Sequence, residues 1–236
     1  MQKFESGRRA VSNAPLTWPI VRIDPEHPPD VVPDCTVLEF PTRERVWRSA
    51  NEDRGIVIES FLGAGSKRKH FERNYFRRGE MGRADYTESD MELSHSQGAG
   101  TGFESPYAIP YAPREVNQEL QNLGIEEFLR ELERNRPREI TIQIVTNTRT
   151  MPRSLRLSLI EYTINAIYQG ERYLLFTTGI RVEWSANRPS VSIAGDLTDI
   201  NPEAVHLLPM NDLAETMLER RLELMSRVVE GRSRRR

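Results

Sequence analysis

The chain has 236 residues, 37% of them hydrophobic and 29% charged, with a formal net charge of −2. That length supports one sizeable core, but the polar balance leaves part of the chain short of apolar packing. A near-neutral charge excludes a protein that coats nucleic acid by bulk attraction, and the single Cys35 excludes internal disulfides and multi-cysteine zinc sites.

Residues 1–50 read as an irregular, proline-rich leader, with short extended pieces at Trp18–Ile23 and Thr36–Phe40. No apolar stretch is long enough to span a bilayer, and no signal-peptide core follows the N-terminus, so synthesis in the cytosol is expected. The domain proper is expected over 51–231, followed by a basic tail, 232–236. Its first strand is Ile56–Leu62, closed by Gly63 and Gly65.

A basic, aromatic run follows. Between Lys67 and Arg83, seven Lys/Arg face only Glu72 and Glu80, and Phe71, Tyr75 and Phe76 are interleaved with them. Cations for phosphates and rings for bases suit a nucleic-acid grip, with Lys67, Arg68, Lys69, Arg73, Arg77 and Arg78 as the contact residues. A solvated charged loop is the plainer reading of the same run.

The acidic residues Asp85, Glu88, Asp90 and Glu92 lead into Glu92-Leu-Ser-His95-Ser-Gln-Gly98-Ala-Gly-Thr-Gly102-Phe-Glu104. The glycines allow tight turns or close approach of backbone to a ligand. His95 heads this loop among polar neighbours that give it no core role. An imidazole can deprotonate water near neutral pH, which makes His95 a candidate general base. Glu92 and Glu104, bracketing the loop, join it as catalytic candidates, and Ser94 and Gln97 as further pocket residues.

Pro113 suits the first position of a helix. Val116, Leu120 and Leu123 mark one apolar stripe, Gly124 breaks or bends the run, and Ile125, Phe128, Leu129 and Leu132 continue it to Asn135 and Pro137. Asn117 and Gln121 share a face at the 3.6-residue repeat. Asn117 is a candidate ligand for a hard divalent ion, Mg²⁺ or Mn²⁺, because the nearby donors are oxygens. Gln118, Gln121 and Asn122 are pocket candidates that, like Glu126, otherwise read as exposed helix polars.

From Ile140 the apolar period becomes two. A strand through Ile144 is followed by one that changes phase near Leu159/Ile160, which predicts a β-bulge. Gln169-Gly170-Glu171 turns the chain into a strand over Tyr173–Trp184, and Asn187-Arg-Pro189 turns it again. Leu213, Met217, Leu218, Leu222, Met225 and Val229 share one face of an expected C-terminal helix. The expected fold is α+β: an antiparallel meander of about four to five strands packed with a helix pair, 113–135, and the C-terminal helix.

The run from Glu92 through Glu126, with the strands through Ile140-Thr-Ile and Ile160-Glu-Tyr162, resembles bacterial polymorphic toxin domains of the type 4 class. The resemblance implies a toxin module of an exported or injected effector, delivered by a secretion or contractile injection system and active in the target-cell cytosol. It also implies a cognate immunity protein as partner, with the leader available to a delivery apparatus. A more distant similarity, to ββα-metal (HNH-like) nucleases, implies a metal-dependent nuclease with His95 as general base and Asn117 binding Mg²⁺ or Mn²⁺. The rival reading is a non-catalytic protein-binding module, or a toxin with different chemistry at the same loop.

Overall fold

In the computed structural model, residues 15, 17–24, 27–50, 55–63, 91–98, 101, 103–105, 107–185 and 188–194 are described. The basic run 67–83, with Lys67, Arg68, Lys69, Arg73, Arg77 and Arg78, and the expected C-terminal helix lie outside the described residues.

One large sheet dominates. Its strands are β1 (Ile20–Arg22), β2 (Val37–Glu39), β3 (Arg45–Arg48), β4 (Ile56–Phe61), β7 (Thr141–Thr150), β8 (Leu157–Tyr168), β9 (Glu171–Ser185) and β10 (Arg188–Ala194), side by side in that order. β1 and β2 run parallel and every other neighbouring pair is antiparallel. A two-stranded ladder, β5 (Met91–Leu93) with β6 (Tyr111–Pro113), stands apart from it.

The expected four-to-five-strand meander is therefore too small. β7 to β10 form that meander, but β4 adds to its free edge and carries β3, β2 and β1 with it. The reason is visible at β4. Ile56, Val57 and Ile58 are all buried, so both faces of the strand need cover and both edges need partners.

Within the meander, Arg149 faces Leu159 while Thr150 faces Leu157, leaving Ser158 as an extra residue and turning both Leu157 and Ile160 into the core. Gln169 and Gly170 both have positive φ, the mirror-image turn that matches strand twist in a two-residue hairpin.

The expected helix pair is also corrected. A π-helical segment, Val116–Ile125, runs without interruption into α1, Glu126–Asn135. The junction is closed by an i→i+5 bond, the Glu126 N–H donating to the Gln121 carbonyl. Gly124 is buried inside this run and does not break it. The buried positions Val116, Leu120 and Ile125 are spaced by four and five, the spacing of a winding near about 4.4 residues per turn rather than 3.6. Leu123, expected in the apolar stripe, is consequently turned outward and is 55% exposed.

The helical run packs Val116, Leu120, Ile125, Leu129 and Leu132 on the β7–β9 part of the sheet. A second cluster seats the loop between β5 and β6: Phe103 and Ala108 pack with Ile23, Val32, Leu38, Phe40, Val46, Ile56 and Ile58. A third, smaller cluster joins Val37, Trp47, Val57 and Val145, with Trp18 against it.

Candidate functional site

The β5–β6 ladder does not stop at Leu93 and Tyr111. The Ser94 N–H donates to the Pro110 carbonyl and the Ser96 N–H to that of Ala108, so the chain forms a long hairpin whose tip begins at Gln97. Phe103 pins the tip, its ring centroid 5.2 Å from that of Phe40 in a tilted arrangement. Tyr107 adds a hydroxyl bond to the Pro29 carbonyl at 2.7 Å.

This doubling back brings His95 and Glu104 together. Nδ1 of His95 lies 2.8 Å from Oε1 of Glu104, with side chains 26% and 2% exposed. The contact is close but has no aligned hydrogen bond at Nδ1, so its attraction is mainly electrostatic and grows when the ring is protonated.

The helical run approaches from the other side. Gln121, fully buried, donates through Nε2 to the His95 carbonyl and to the Tyr162 hydroxyl, the latter at 2.8 Å, and its Oε1 accepts from Ser94. One amide thus ties the backbone at His95 to β8. Burial pushes the Tyr162 phenol far above its ordinary range; the Gln121 bond opposes this and the Glu126 charge adds to it. Gln97 is also buried, its Oε1 accepting from Ser60 on β4 while its Nε2 has no partner among the described residues.

Glu126, at the start of α1, completes the cluster. Its carboxylate accepts from the Gly98 N–H, and it sits where a Cβ on Gly98 would otherwise be. Burial pushes its carboxyl above the ordinary range. Arg130, His95 and the Gly98 bond pull it down, and Glu104 adds to the rise.

The remaining candidates gather at a second point along the hairpin. Oε2 of Glu92 accepts from Nδ2 of Asn117 and Nε2 of Gln118, both at 2.8 Å, and Arg114 Nε lies 3.5 Å from Oε1. The two amides, Asn117 first, hold the Glu92 carboxyl below its ordinary range, with Arg114 adding to them. An amide that turns N–H toward a carboxylate, beside a second amide and a guanidinium, does not fit the donor set of a hard divalent ion. Among the described residues, no three His, Cys, Asp or Glu side chains group as a metal site. Asn122 is exposed, and its carbonyl accepts from Arg130 at 2.9 Å.

The sequence reading passed over Glu126 as an exposed helix polar, and gave Tyr162 no part in the site. The usable signal was the spacing of five from Gln121 to Glu126, which repeats the spacing from Leu120 to Ile125 and puts both polar residues on the loop side of a π-wound helix. At 3.6 residues per turn the same two positions face apart.

Among the described residues, no helix is long and apolar enough to cross a membrane. A comparison with curated proteins found no match. Residues 89–165 match the family model Ntox4, described as Bacterial toxin 4. The matched segment contains His95, Glu104, Gln121, Glu126 and Tyr162, and it bears out the resemblance to polymorphic toxins: over these residues the chain is similar to the bacterial toxin 4 family, with the His95 cluster inside the match.

Proposed function

We propose that the toxin domain cleaves phosphodiester bonds of DNA or RNA at His95. The observation that carries this reading is the His95–Glu104 pair, a partly exposed imidazole against a fully buried carboxylate within the segment that matches the toxin family. Glu104 draws a ring proton to Nδ1 and leaves Nε2 as the base. The imidazole then takes the proton of the attacking hydroxyl or water as the new P–O bond forms, and the carboxylate stabilises the imidazolium. The basic, aromatic run 67–83 supports nucleic acid as substrate by its composition. A divalent ion, implied by the nuclease resemblance, would draw its ligands from elsewhere than the Glu92–Asn117 pair. The producing cell would be protected by a cognate immunity protein, and the effector would be exported to act in the target cytosol.

The test is cleavage of plasmid DNA, tRNA and rRNA by the purified chain, each with Mg²⁺, with Mn²⁺ and with EDTA. His95→Ala is expected to lower the rate by about 10²- to 10⁴-fold, the usual worth of a general base, with folding retained. Intact DNA, tRNA and rRNA under every metal condition would sink the nuclease reading.

A further inference from the structure

The mechanism above uses one carboxylate beside His95, and the structure has two. Glu126 reaches the hairpin from the start of α1, with its side chain 17% exposed and its carboxylate on the Gly98 N–H. The charged and titratable groups that face it are Arg130 on its own helix, His95 and Glu104 from the hairpin, and the Tyr162 hydroxyl from β8.

Arg130 does not neutralise it fully. The guanidinium makes its close bonds to Glu127, at 2.7 and 3.0 Å, and stands 3.5 Å from Glu126. His95, the other basic group that faces it, is in contact with Glu104. With Arg130 held by Glu127 and His95 by Glu104, burial favours the protonated form of the Glu126 carboxyl. A carboxylic acid and an imidazole in one site form the pair that general acid–base chemistry requires.

We propose that Glu126 is the catalytic acid of this site and His95 its base. This rests on the phosphodiester reading above. As His95 takes the proton of the attacking hydroxyl or water and the new P–O bond forms, Glu126 gives its proton to the leaving oxygen as the other P–O bond breaks. The imidazolium then returns a proton to the Glu126 carboxylate, and the site is reset with no net change in charge. Gly98 belongs to the same device, because any side chain there would push the carboxylate out of the loop.

The test uses the full chain with Glu126→Gln, which keeps an acceptor for the Gly98 N–H, and Glu126→Asp, which keeps an acid. With total RNA and plasmid DNA as probes, Glu126→Gln should cleave at least about 100-fold more slowly and lose the alkaline limb of the pH–rate profile. Glu126→Asp should retain part of both. In parallel, NMR of the ring and of labelled glutamate δ-carbons should find Glu126 titrating above an ordinary glutamate. Cleavage and host growth arrest by Glu126→Gln within about threefold of the parent chain, with the alkaline limb intact, would overturn the proposal. So would a Glu126 carboxyl that titrates as an ordinary glutamate. If the parent chain cuts no nucleic acid, the phosphodiester reading falls by itself, and the Glu126 titration and the growth assays still decide whether Glu126 acts as an acid in this site.

Discussion

Gln121 joins the hairpin to the sheet through a single amide. Its partners Ser94 and Tyr162 are buried and the His95 carbonyl partly so, and removing the amide takes a hydrogen-bond partner from all three. Each unsatisfied group costs about 1–3 kcal/mol, partly relieved by repacking. Gln121→Leu is therefore expected to destabilise the chain by about 2–4 kcal/mol in urea unfolding, a large effect for a polar substitution. Two carboxyls give pH dependence of opposite sign. Glu92 is held low in the folded state, so its contribution is present above the ordinary 4.5 and is lost as pH falls through the lower folded value. Glu126 is held high, so the folded state keeps that proton longer than the unfolded chain. Its contribution falls as pH rises from 4.5 through the raised folded value. Urea midpoints followed against pH should flatten on the acid side in Glu92→Gln and above 4.5 in Glu126→Gln. His95 and Glu104 could be read as candidates from their places on a glycine-rich loop. Glu126 could not, because its environment depends on how the helix winds.

That winding is the main property of the helical element. A 3.6-residue reading buries Leu123 beside Leu120; the π winding buries Leu120 and leaves Leu123 in water. Leu120→Ala should cost about 2–5 kcal/mol, as for a buried leucine. Leu123→Lys should stay within about 0.5 kcal/mol of the parent. Comparable losses at both positions would mean an ordinary α-helix here. The meander was legible because period-two strands of ten or more residues repeat their signal, and because Gln169-Gly170 suits a hairpin turn. β1 and β2, three residues each, fall within the expected extended pieces Trp18–Ile23 and Thr36–Phe40, but their place in the sheet was not legible, nor was β3, which has only Val46 and Trp47 as apolar positions. Strands that short are defined by their neighbours in the sheet, and a local pattern does not carry that information.

Across the whole molecule, the site depends on residues far from it in sequence. Phe103, fully buried, anchors the hairpin tip among side chains from β2, β3, β4 and the segment before β2. Phe103→Ala should lower stability by about 3–5 kcal/mol. At temperatures where the variant is still folded, it should also slow the cleavage proposed above, because the hairpin that carries His95 and Glu104 loses its anchor. A chain shortened to start at residue 51 should fail in the same way, since Phe40 and Val46 would be gone. The family segment ends at Asn165, in the middle of β8, and holds β7 and most of β8 but neither of their outer neighbours, β4 and β9. Lifted out at those limits, it would carry two long strand edges with unpaired N–H and C=O groups, which are templates for aggregation. Transfer of this segment to another chain, by recombination or by an engineer, thus has breakpoints imposed by the sheet: the transferred piece has to be wider than the motif that identifies it.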